Sequence, residues 1–82
     1  MHELSVAQSI LDAVETEVRN RPGAVLRAVG LRIGELAAVD ADSLRFSWEC
    51  LTRETTFEGV ALEIEHKAAG ELDITYLELE TP

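Results

Sequence analysis

Ala24-Val25-Leu26-Arg27-Ala28-Val29-Gly30-Leu31-Arg32-Ile33 is the stretch on which the fold turns. Val25, Val29, Leu31 and Ile33 share one parity and β-branched residues crowd the run, so it reads as a half-buried strand ending at Gly34. Upstream, Leu4, Ala7, Leu11, Val14 and Val18 recur at steps of three and four, with Ile10 beside them. Gln8, Asp12, Glu15 and Arg19 fill the opposite side, which makes an amphipathic helix. Pro22 disfavours helical geometry in the residue before it and Gly23 follows as a turn residue, so this helix should stop near Asn20.

Downstream, Asp40 or Asp42 can cap a second helix whose inner face carries Leu44, Trp48 and Leu51, widened by Phe46 and Cys50. Arg53 to Gly59 form a loop. Val60, Leu62 and Ile64 then alternate with Ala61, Glu63 and Glu65, as in a strand with one dry face. After Lys67-Ala68-Ala69-Gly70 a last strand runs from about Glu71 to Glu80. Its inward set begins Leu72, Ile74, Tyr76 and then flips parity to Leu77 and Leu79. A bulge explains the flip; an apolar patch on the far face is the alternative.

The order α-β-α-β-β predicts an α+β, two-layer fold: a three-stranded mixed sheet with two helices on one face. The strand–helix–strand crossover should bring the first two strands parallel by a right-handed connection. The short link before the last strand suits an antiparallel hairpin between the last two. Eighty-two residues make a single domain, 1–82, with no repeat or linker inside it.

Sixteen acidic residues against seven Lys and Arg leave a net charge of −9. That sign repels phosphate, and no basic stripe accumulates, so nucleic acid and anionic membrane surfaces are poor partners. No apolar run is long enough to span a membrane and no signal peptide is visible, which makes the cytoplasm the expected compartment. Cys50 is the single cysteine, which excludes an internal disulfide and any multi-thiolate metal site within one chain.

Chemistry concentrates at the first residues. The α-amine of Met1, the amide nitrogen of His2 and the His2 imidazole Nδ1 can close two fused chelate rings around one ion. Planar, nitrogen-rich sites favour Ni(II) or Cu(II). The fourth position stays open for Glu3, through backbone or carboxylate, or for a group from another molecule. A histidine at position two is by itself a weak signal. Elsewhere packing is the better reading. His66 continues the parity of Leu62 and Ile64 and reads first as a partly buried structural residue, with metal contact as the lesser alternative. Trp48 reads as a core anchor, Cys50 as a small apolar residue, and Glu63, Glu65, Glu78 and Glu80 as solvated strand faces. No nucleophile with an oriented base and no phosphate loop is present, so an enzyme is not expected.

Met1-His2-Glu3-Leu4-Ser5-Val6-Ala7, Leu31-Arg32-Ile33-Gly34-Glu35-Leu36, Asp42-Ser43-Leu44-Arg45-Phe46 and Leu51-Thr52 closely resemble the nickel-insertion accessory proteins of [NiFe]-hydrogenase maturation, whose relatives also assist urease. Leu62-Glu63-Ile64-Glu65 and Glu71-Leu72-Asp73-Ile74 continue the likeness in order. The resemblance implies a nickel metallochaperone that binds Ni(II) at His2, Glu3 and the Met1 amine. It also implies as partners the nickel-insertion GTPase and a hydrogenase large-subunit precursor, with a homodimer as a further option. In that family a zinc module with two Cys-x-x-Cys pairs sits between the last two strands. Lys67-Ala68-Ala69-Gly70 stands there instead, whether by natural shortening or by engineering, so no zinc is expected. The rival to the chaperone reading is a docking or scaffold module that binds the GTPase, or itself, through a sheet edge without a metal role of its own.

Overall fold

The computed structural model describes residues 3–81. They form α1 (Glu3–Arg19), β1 (Val25–Gly34), a short 3-10 turn (Glu35–Ala37), α2 (Ala41–Thr52), β2 (Ala61–Lys67) and β3 (Leu72–Glu80). The α+β architecture expected from the pattern is the one observed: two helices pack over a three-stranded mixed sheet. Their common core joins Ala7, Ile10 and Val14 of α1 and Leu44 and Trp48 of α2 to Leu26, Val29, Leu31 and Ile33 of β1.

Local chemistry sets the element ends. Asn20 and Arg21 donate back to the last carbonyls of α1, and Gly23 takes φ +86, a left-handed conformation that glycine adopts without a Cβ clash. Of the two candidate caps, Asp40 starts α2, its carboxylate accepting from the Ser43 N–H at 2.9 Å. Trp48 is buried among the core residues, and its indole N–H donates to the Val60 carbonyl at 3.0 Å. That bond ties α2 to the approach of β2 while satisfying the one polar atom a buried tryptophan brings.

Sheet order corrects the expected topology. β1 lies in the middle, parallel to β2 and antiparallel to β3, so the last two strands are not a hairpin. The link after β2 crosses the carboxyl end of β1 and delivers β3 to the other side. Gly34 N–H donates to the Glu71 carbonyl and Leu36 N–H to the Gly70 carbonyl, at 3.1 and 3.2 Å. A side chain on Gly34 would collide with the Gly70 carbonyl, so the crossing needs a glycine beneath it.

Because β1 is paired on both sides, it is buried nearly throughout rather than half-buried. The parity flip in β3 is a bulge, as expected, but it falls at Thr75, between the pairs Leu31↔Ile74 and Gly30↔Tyr76. Leu72, Leu77 and Leu79 therefore pack on the core, while Tyr76 belongs to the outer face with its ring over Gly30. A second irregularity at Arg27 turns Val25 outward and Leu26 inward, reversing their expected sides. On the helices, Leu4, Phe46 and Cys50 are exposed, and the buried face of α2 is Leu44, Trp48 and Thr52. Thr52 is tolerated there because its hydroxyl donates to the Trp48 carbonyl at 2.8 Å.

The two close-packed glycines should respond differently to alanine. Gly34→Ala pushes a Cβ into backbone and is expected to cost roughly 3 kcal/mol. Gly30→Ala first meets the Tyr76 ring, a half-exposed side chain that can shift outward at the expense of its surface bond to Glu63, for about 1 kcal/mol. Urea denaturation of both variants checks the order; equal losses would contradict the crossing as the tighter constraint.

Candidate metal site

Four chain ends meet at one corner: the carboxyl ends of the parallel strands β1 and β2, and the amino ends of both helices. After β1 the 3-10 turn closes on Ala38, which takes the left-handed conformation at φ 51. For a residue with a Cβ this costs roughly 1–2 kcal/mol. The turn brings the chain round so that the Asp40 N–H donates to the Glu3 carboxylate at 3.2 Å. Glu3 and Asp40 thus join the two helix starts, where orphan N–H groups favour negative charge. The Ser43 backbone N–H, then a second bond from the Ser43 side chain, holds the Asp40 carboxyl below the ordinary carboxylate range.

Beside this junction lies an open groove of about 680 Å³. Gly34, Glu35, Ala38 and Asp40 line one part of it, and His66, Lys67 and Ala68 another. His66 is exposed there, which corrects its reading as a partly buried structural residue. A second groove, of about 620 Å³, runs between the helix starts and is flanked by Leu4 and Phe46.

Of the three residues expected to hold nickel, Met1 and His2 lie outside the described residues, and Glu3 stands at the junction. Among the described residues no three His, Cys, Asp or Glu side chains gather closely enough to hold a metal. Glu3 was legible in the sequence as a member of the amino-terminal tripeptide. Its bond to Asp40 was not, because it depends on a left-handed alanine that no local pattern announces.

The acidic residues on the outer sheet face are partly paired. Arg27 donates to Glu80 at 2.7 Å and Arg32 to Glu65 at 3.1 Å. Glu80 lies below the ordinary carboxylate range because of the hydrogen bond and then the charge of Arg27. The Tyr76 hydroxyl donates to Glu63, and that bond, followed by desolvation and nearby glutamates, raises its pKa above the ordinary phenol value. These contacts hold a surface together and form no acid–base pair.

Residues 1–71 match the family model described as hydrogenase/urease nickel incorporation, metallochaperone, HypA. The hydrogenase maturation factor HypA of Azotobacter chroococcum mcd 1 is 44% identical over 64 residues, 78% of this chain and 57% of that protein. The factor from Methanopyrus kandleri is 46% identical over 65 residues, 79% of this chain and 46% of its own length. The chain therefore spans about half the length of such relatives. The solution structure of the Ni metallochaperone HypA from Helicobacter pylori shares the fold, with a TM-score of 0.82 at 17% identity over the whole of both chains. This chain belongs to the hydrogenase/urease nickel-incorporation family, whose description is that of a metal carrier and not of a catalyst.

The Asp40 cap makes a prediction about acid stability. Its carboxyl titrates lower in the folded state than in the unfolded one, so its contribution is complete above the ordinary carboxylate range and fades as pH falls through the folded value. Asp40→Ala should melt at a lower temperature than wild type at pH 7. The two should converge in acid, once pH has fallen below the folded value of the Asp40 carboxyl. A gap that persists unchanged in acid would assign the loss to something other than the charged cap.

Proposed function

We propose that this chain is a nickel metallochaperone domain that takes up Ni(II) at Met1-His2-Glu3 and passes it by ligand exchange to a partner in hydrogenase maturation. The observation that carries this reading is the tethering of Glu3 to Asp40 at an open corner, directly after an amino-terminal amine and imidazole. Anchoring the third residue leaves the first two to wrap an ion, while the open surroundings admit a second protein. Three nitrogen donors from Met1 and His2 suit Ni(II), and an incomplete shell suits cargo that must leave. The metal is cargo, and the chain makes no covalent change to a substrate.

The partners that fit are the nickel-insertion GTPase and, beyond it, a hydrogenase large-subunit precursor, in the cytoplasm. No helix among the described residues is long and apolar enough to cross a membrane. Residues 1–82 act in this reading as one nickel-binding domain with Lys67-Ala68-Ala69-Gly70 in place of a zinc module. A single cysteine gives the chain no four-thiolate zinc site of its own.

A docking role has one observation in its favour: β2 and β3 both lie at sheet edges, seven and nine residues long. Edge strands present backbone groups to which another chain can add. A docking module would keep its affinity for the GTPase after His2→Ala, whereas a chaperone would lose metal transfer.

Calorimetric titration of untagged protein with Ni(II) tests the main reading. Binding should weaken at least about tenfold between pH 7.5 and 5.5, because the amine and imidazole must shed protons to bind and the imidazole titrates near ~6.5. His2→Ala, or a tag that turns the amine into an amide, should remove it. Equal affinity at both pH values, or in His2→Ala, would overturn the proposal.

A further inference from the structure

We infer that the free edge of β3 is a docking site for an extended segment of another protein, one with apolar side chains on one face and Lys or Arg on the other. Such docking builds on the sheet-edge role above, narrows it to one edge, and needs no metal. A groove of about 460 Å³ lies along this edge. Ile74, Thr75, Tyr76 and Leu77, four consecutive residues, line it together with Leu79. Successive side chains of a strand point to opposite faces, so a hollow on one face would touch alternate residues only. A hollow bordered by consecutive residues runs along the backbone edge itself. Glu17 and Arg21, near the end of α1, form its opposite wall. β1 pairs with the other side of β3, so the backbone groups on this side have no neighbouring strand.

Both faces of the edge leave something unsatisfied. Beyond the bulge at Thr75, Tyr76 to Glu80 pair with β1 without a skipped residue of β3. On the helix side Leu77 and Leu79 are half-buried and Ile74 is 38% exposed, apolar surface that the fold covers only in part. On the water side Glu80 is engaged by Arg27, and Tyr76 by Glu63. Asp73 and Glu78 have no ion pair among the described residues.

Charge selects the occupant. β3 carries Asp73, Glu78 and Glu80 and no Lys or Arg. A second copy pairing there would set a chain of net charge −9 against its equal, with carboxylates facing carboxylates across the new seam. β2 is the weaker match for a basic segment, because Glu63 and Glu65 already hold Tyr76 and Arg32 and the strand ends in His66-Lys67. A segment with Lys or Arg beside Glu78 and apolar side chains beside Leu77 and Leu79 satisfies both faces of β3 at once. Main-chain bonds hold it and the alternate side chains give selectivity.

The test adds a short capped peptide that alternates lysine and valine to the full chain without nickel, and follows backbone amides by NMR. Binding should shift the Tyr76–Glu80 amides and slow their hydrogen exchange, leave β2 unchanged, and weaken as salt rises. Glu78 is exposed, so Glu78→Lys should fold as wild type does. It should bind the lysine peptide about tenfold less tightly, an attractive cross-strand pair having become a repulsive one. The matching glutamate–valine peptide should bind the variant better than wild type. Protection on β2 instead of β3, equal binding of both peptides by wild type, or no binding would overturn the inference. Protection of β3 that grows with protein concentration alone would overturn it in favour of a second copy. With nickel absent throughout, none of these failures touches the metal-carrier reading.

Discussion

Where the chain crosses the carboxyl end of β1, a single hydrogen in place of a side chain decides the sheet. Gly34 lets the Gly70 carbonyl pass close above it, and the N–H groups of Gly34 and Leu36 bond to the crossing strand. The crossing puts β3 on the side of β1 away from β2, which gives β1 a neighbour on each edge. A strand paired on both edges has its backbone groups satisfied, and Leu26, Val29, Leu31 and Ile33 of β1 form the floor of the core. The same crossing holds the ends of β1 and β2 beside the turn that leads to α2, and that is where the groove forms.

The charge distribution follows from this arrangement. With helices on one face only, the other face of the sheet meets water and carries glutamates, two of which are tied by arginines across the strands. Exposed pairs of this kind contribute little to stability, so packing beneath them carries the fold. At the opposite end of the molecule's chemistry, Glu3 and Asp40 sit where the two helices begin, each carboxylate satisfied by a backbone N–H. Helix starts tolerate negative charge, which explains how an acidic chain brings two carboxyl groups together without a basic side chain between them.

A carrier must hold its ion firmly enough to select it and loosely enough to yield it. Burying a metal in a complete shell serves the first need and defeats the second. The proposed amino-terminal site suits both needs, because its donors would be covalently close to one another while Glu3, their neighbour, is held at a surface corner. The left-handed Ala38 fits this view: the conformation is costly for alanine, and its effect is to direct Asp40 toward Glu3.

Periodicity alone was sufficient for the number, order and type of the elements, for the Trp48 core and for the existence of a bulge in β3, since each depends on residues close together in sequence. The proposed Met1-His2-Glu3 site was legible for the same reason, since the donors it calls on are neighbours in sequence. Which strand β3 joins, which side Val25, Phe46 and His66 face, and the meeting of Glu3 with Asp40 belong to the tertiary structure. They depend on a crossing over Gly34, on bulges at Arg27 and Thr75 that each reverse a strand's parity, and on where the helices stop covering the sheet. Contacts between residues 30 or more positions apart decide these features, and no repeating pattern within a single segment contains them.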